Sequence, residues 1–122
     1  MGQSLKWLEV WEAKGMIAPS APAAPAPDCS ESEFQTAVVK LATAHGWTTH
    51  HHYDPRKSSA GWFDLVLAKL GRVLFVELKT EAGVQSDEQL KWFALFASAG
   101  EEVYCWRPSS WPIIVDVLTG GP

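Results

Sequence analysis

The hydrophobic positions of this chain follow two kinds of pattern. In SESEFQTAVVKLATAHGW, from Ser30 to Trp47, Phe34, Val38 and Leu41 recur at helical spacing and Gly46 supplies a stop. Ser30 with Glu33 three residues later forms the capping-box pattern that opens such a helix. SDEQLKWFALFASAG repeats the arrangement, with Ser86 as cap, Gln89 at the box position and Gly100 as terminator. Elsewhere the apolar residues run together. WTTHHHYD reads as a first strand, GWFDLVLAKLGRVLFVELKT (Gly61 to Thr80) as a two-stranded hairpin, and EEVYCWRP as a fourth strand. The tail SSWPIIVDVL has room for a short closing helix. The order α-β-β-β-α-β predicts an α/β fold, a mixed sheet with helices, in one domain of about 95 residues spanning 28–122. Before it, in residues 1–27, SLKWLEVWEAKGMI places Leu5, Leu8 and Trp11 on one face of a short helix, and APSAPAAPAPD reads as an extended linker.

The hairpin carries more charge than a buried element needs. Asp64 stands near the start of its first strand, Glu77 near the end of its second, and Lys79 two residues further on. Strand side chains alternate faces, so Glu77 and Lys79 share a face with Val73 and Phe75. A turn at Leu70-Gly71 sets Lys69 opposite Arg72, and counting back pairs Asp64 with Glu77. A symmetric four-residue loop keeps that register, whereas a three-residue loop shifts it by one and sends the acids to opposite faces. In the first register the two carboxylate stems stand about 5 Å apart on one side of the sheet, an arrangement that repels unless something offsets it. Lys79 supplies one positive charge and a divalent cation would supply two more. Carboxylate oxygens with the Leu78 carbonyl and waters suit Mg2+ or Mn2+. The competing reading is a structural Asp-Lys-Glu ion pair at a strand end.

Other polar residues have both a chemical and a structural reading. Glu31 lies on the inward stripe of the first helix with Gln35 one turn later, which makes it the preferred third acid. Glu33, turned away and occupied by the cap, is the reserve, and a solvated first-turn acid is the plain alternative for Glu31. Gln89 is explained by its capping box, although its place after the second hairpin strand also lets it reach Lys79 or a substrate. His50, His51 and His52 alternate faces on a strand, which disfavours a triple-histidine cage. One of them, with His51 on the face opposite the other two, could contact phosphate or relay a proton. Arg56 and Lys57 precede the hairpin, where cations clamp phosphates or simply meet solvent.

Composition narrows the function classes. Nearly half of the residues are hydrophobic and 20% are charged, the profile of a globular chain, and seven tryptophans promise a well-filled core. The net charge of −4 argues against a general nucleic-acid coat protein but not against an enzyme that meets phosphates through a metal and a few local cations. Cys29 and Cys105 have neither CxxC nor zinc spacing and read as free thiols of a reducing compartment. No signal peptide or membrane span is visible, so the expectation is an intracellular, cytoplasmic protein without a membrane partner.

Asp64 followed by Glu77-Leu78-Lys79, after a helix bearing Glu31, resembles the PD-(D/E)XK nuclease superfamily. The ordered set SExxFQ, HxxDxRKSxxGxxDLVL, RVLFVELKTExGxxSxEQ and AGxEVYxWRP resembles more closely its VRR-NUC (virus-type replication-repair nuclease) family, in particular small stand-alone bacteriophage members. The likeness runs from Ser30 to about Trp111. It departs at Phe63, where the family has proline in G-F-P-D, and at Pro55, where a serine is expected. The resemblance implies a restriction-endonuclease-like αβββαβ core and Mg2+- or Mn2+-dependent hydrolysis of DNA phosphodiesters. It further implies preference for branched or structured DNA and homodimers that cut four-way junctions as Holliday-junction resolvases. Asp64, Glu77, Glu31 and the Leu78 carbonyl would hold the metal, and Lys79, with Gln89, would act at the scissile phosphate. Arg56, Lys57, His51 and Gln35 would meet nucleic acid. Two alternatives stand beside it: a nuclease of flaps or single-strand ends working as a monomer, and a DNA-binding module with a structural acidic pair.

Overall fold

The computed structural model describes residues 23–51 and 59–120. The expected N-terminal helix, most of the linker, His52 and the Arg56–Lys57 pair lie outside these residues. The element order is α1 (Glu31–Ala44), β1 (Thr48–His51), β2 (Leu65–Lys69), β3 (Arg72–Leu78), α2 (Asp87–Ser98) and β4 (Glu102–Trp106). A 3-10 turn (Pro108–Ser110), the short helix α3 (Trp111–Val115) and a π turn (Asp116–Gly120) close the described chain. The predicted αβββαβ order is therefore observed, and the tail does contain a closing helix.

Both helices start where their caps dictate. The Ser30 hydroxyl accepts from the Glu33 amide at 3.0 Å while Glu33 Oε1 accepts from the Ser30 amide at 2.8 Å. Ser86 and Gln89 repeat the exchange at 3.1 and 2.9 Å. Each box satisfies two amides that a helix start leaves without partners.

The four strands lie in the order β1-β2-β3-β4, the first two pairings antiparallel and β3–β4 parallel. A parallel neighbour needs a crossover, which α2 provides. The sheet has two different faces. Leu65, Leu67, Leu74, Val76, Leu78 and Trp106 point to one, where they bury Phe34, Val38 and Leu41 of α1 together with Trp111, Ile114 and Leu118 of the tail. The Trp47 indole donates to the Leu118 carbonyl at 3.0 Å and pins the tail to the start of β1. On the other face Phe75 meets Phe96 of α2 edge-on, with ring centroids 4.8 Å apart. Phe63 and Trp62 complete an aromatic cluster there, at 5.4 and 5.5 Å from Phe96. Edge-to-face rings add to the burial they bring. Phe63, at the position of the missing proline, is fully buried in this cluster, so packing holds the approach to β2.

Candidate active site

The β2–β3 register runs from Lys69 opposite Arg72 to Leu65 opposite Val76. Continued by one residue, it sets Asp64 across from Glu77, the arrangement expected from a turn at Leu70-Gly71. Gly71 takes the left-handed φ of 82° in that turn. Asp64 sits in a bend just outside β2, and its Oδ2 accepts from the Leu78 amide at 2.7 Å. That bond extends the hairpin ladder through a side chain and anchors the aspartate at the strand end.

Glu77 is the charged side chain that the described fold buries completely, at 0% exposure. Gln85 Nε2 donates to its Oε2 at 2.6 Å, whereas Oε1 is buried with no hydrogen-bond partner among the described residues. Burial pushes the Glu77 carboxyl above its ordinary pKa; the Gln85 bond opposes this, Asp64 adds to it and Lys79 opposes it. Cys105 stands opposite Glu77 on β4. Its thiol is likewise raised, by burial first and then by Glu77, with Arg107 and Lys79 opposing and Asp64 adding.

Glu31 reaches this end of the sheet from the first turn of α1. Partial burial raises its carboxyl, the charge of Asp64 adds, and Lys79 opposes. Glu33 is held below the ordinary range by its bonds with Ser30 and is occupied by the cap. Of the two helix acids, Glu31 is therefore the one that feels Asp64 and Lys79. The Lys79 amide donates to the Trp106 carbonyl at 2.9 Å, which ties the lysine's backbone to β4.

The remaining candidates divide. His51 ends β1 beside Leu65, and its Nδ1 lies 3.2 Å from Gln35 Nε2, so these two residues meet each other at the same sheet end. Gln89 Oε1 is engaged by the Ser86 amide in the α2 cap. Arg56 and Lys57 fall outside the described residues. Sequence reasoning missed Gln85 and Arg107. Gln85 is an uncharged residue in a loop without periodicity, and only its partner reveals it. The Arg107 guanidinium donates through Nη1 to the Thr80 and Gly83 carbonyls at 2.7 and 2.6 Å.

Among the described residues no group of three or more His, Cys, Asp and Glu side chains stands ready to enclose a metal ion. The donor set nevertheless fits a hard divalent cation. Mg2+ keeps several waters and is commonly held by one or two carboxylates together with substrate phosphate. Asp64 and Glu77 supply two carboxylates, and the partnerless Glu77 Oε1 is a buried acceptor of the kind a cation satisfies. No helix among the described residues is long and apolar enough to cross a membrane.

No protein-family model matches the chain, and no curated protein matches it. A solved structure described as a VRR_NUC domain is similar to it, with a TM-score of 0.60 and 21% identity over 70% of this chain and 94% of that one. The four-stranded mixed sheet, its αβββαβ order and this match together show that the chain has the fold of a VRR_NUC domain.

Proposed function

We propose that the protein is a Mg2+- or Mn2+-dependent nuclease that hydrolyses DNA phosphodiesters, selects branched or otherwise structured DNA, and acts as a homodimer on four-way junctions. The observation that carries this reading is the juxtaposition of Asp64 with a fully buried Glu77 whose Oε1 has no hydrogen-bond partner among the described residues. A purely structural ion pair would satisfy that atom, because an unmet buried acceptor costs stability. The VRR_NUC fold supports the same conclusion.

In this reading Asp64 and Glu77 would hold the cation, with Glu31 and the Leu78 carbonyl as further ligands. Bound there, a divalent ion would acidify a water and neutralise phosphate charge. Lys79 places its ammonium beside the scissile phosphate and opposes the negative charge that builds up there. Gln89 orients substrate at the start of α2, His51 and Gln35 contact the nucleic acid at the neighbouring edge, and Arg56 and Lys57 clamp its phosphates.

The test uses labelled four-way junctions, flaps, single-strand ends and linear duplex with Mn2+, alongside sedimentation of the protein. Paired symmetric nicks on junctions by a dimer are expected. Cutting confined to flaps or ends by a monomer would replace the junction reading with that of a flap or end nuclease. Glu77→Ala and Lys79→Ala are expected to bind junctions without cutting them. Wild-type cleavage by both variants would leave the acids a structural role in a DNA-binding module.

A further inference from the structure

The loop between β3 and α2 is built around the candidate site. Gly83 donates to the Thr80 carbonyl at 3.1 Å and closes a tight turn. A methyl group on Gly83 would come within 3.4 Å of Lys79 Cδ, so the turn lies against the lysine's stem. Two residues later Gln85 points its amide back at Glu77, 2.6 Å from Oε2. The nitrogen faces the carboxylate, since two acceptor oxygens would repel.

Arg107 holds that loop in place. Its Nη1 donates to Thr80 and Gly83 at 2.7 and 2.6 Å and lies 3.4 Å from the Glu81 carbonyl. Glu81 Oε2 in turn accepts from the Ser109 amide at 2.6 Å. A flat guanidinium with several fixed donors suits neighbouring carbonyls better than a point-charge ammonium would. The loop is thus fastened at both Thr80 and Gly83 to the segment that follows β4, and Gln85 hangs from the fastened part.

We infer that Gln85 is a positioning residue for metal binding: clamped in place through Arg107, it occupies Glu77 Oε2 and so presents Oε1 as the atom that meets the cation. The inference rests on the metal-dependent reading above. Groups that hold a ligand carboxylate are often worth a factor of about 10–100 in metal affinity when lost, because the carboxylate then has several orientations to choose among. Glu77 without Gln85 would lose the hydrogen bond that fixes Oε2, and its carboxylate would be free to turn, so Oε1 would no longer be held toward the cation.

The experiment titrates Mn2+ calorimetrically into the full chain at fixed pH. Gln85→Met keeps the side chain's length and removes its donor. It is expected to weaken Mn2+ binding about tenfold with the circular-dichroism spectrum retained. In cleavage assays the Mn2+ concentration for half-maximal rate should rise by the same factor, while the rate at saturating Mn2+ recovers toward wild type. Arg107→Lys should shift Mn2+ affinity in the same direction, and Val84→Ala, an exposed neighbour, should not. Glu77→Ala should lose Mn2+ binding altogether. Wild-type affinity in Gln85→Met, with Glu77→Ala dead to Mn2+, overturns the positioning role and leaves the nuclease reading intact. Equal Mn2+ binding by wild type and Glu77→Ala would sink both. Should Gln85→Met fail to fold, Arg107→Lys decides, and unchanged affinity there counts against the clamp.

Discussion

A carboxylate with no exposed surface costs free energy unless hydrogen bonds or opposite charge offset its lost hydration, and Glu77 has only part of that compensation. Gln85 satisfies one oxygen and Lys79 contributes a favourable field, but Oε1 is unmet among the described residues and Asp64 repels. The carboxyl is raised by burial first, and Glu31 is raised for the same leading reason. A carboxyl whose folded pKa lies above its unfolded value binds its proton more tightly when folded. The associated stability is present below the unfolded pKa and is lost as pH rises through the folded one. In EDTA, therefore, wild-type stability should fall as pH climbs from the ordinary value of 4.5 through the raised range, and Glu77→Gln should flatten that fall. Glu33 and Glu102 are lowered, by the Ser30 cap and by Arg72, so their stability is lost below 4.5 and does not mask the trend. Melting temperature against pH for the two proteins is the check, and parallel curves would contradict it. At this scale the pairing of the two hairpin acids was legible. Asp64 and Glu77 could be set opposite each other because the turn at Leu70-Gly71 dictates the register. Gln85 and Arg107 could not be found, since their partners lie 8 and 24 residues away and an amide on a carboxylate leaves no periodic trace.

The elements hold the site through contacts that are unequal in cost. Helix α2 has no fully buried residue, yet it governs the approach to β2. Trp92 Nε1 donates to the Ala60 carbonyl at 3.0 Å, and Gly61 lies so close that a Cβ there would sit 2.4 Å from the Glu88 backbone carbon. Gly61 also has a φ of 80°, in the left-handed region. Gly61→Ala should thus cost about 2–3 kcal/mol, the sum of backbone strain and a clash with backbone that has no flexible end to move. Gly71→Ala, with a similar φ but nothing within 4 Å, should cost only about 1 kcal/mol. Denaturant unfolding of both variants measures the difference, and equal costs would mean that α2 does not press on Gly61. Gly61→Ala should also lower cleavage more than its stability loss explains, because Asp64 is three residues further on. The two helices were readable from their S-x-x-E and S-x-x-Q boxes, and β2, β3 and β4 from their apolar runs. The aromatic cluster joining Trp62, Phe63, Phe75 and Phe96 was not, because it gathers residues from three separate stretches of chain. The parallel placement of β4 beside β3 is equally invisible to local pattern, because nothing within either strand marks its neighbour.

At the scale of the molecule the difficulty is charge. On the proposed reading a chain of net charge −4 has to approach a polyanion, although it collects Glu31, Asp64 and Glu77 at one end of the sheet. Several described cations are already engaged. Arg72 pairs with Glu102, Arg107 holds the loop after β3, and Lys69 and Lys91 lie over tryptophan rings at 5.0 and 5.6 Å. Affinity for DNA comes chiefly from phosphate contacts and falls with salt in proportion to their number. With these described cations engaged, a change that makes the acids less negative is expected to strengthen DNA binding on that reading. Without metal, Asp64→Asn should accordingly bind a junction severalfold more tightly than wild type. Mn2+ should then strengthen wild-type binding severalfold and leave Asp64→Asn nearly unchanged, since the variant has lost both a repulsive charge and a ligand. Fluorescence anisotropy at one fixed ionic strength, repeated at a second, separates the site from general screening, which weakens both proteins alike. Were Mn2+ to tighten wild type and Asp64→Asn equally, the cation would be acting elsewhere on the protein or on the DNA itself. The acids at the sheet end would then have to be explained without it.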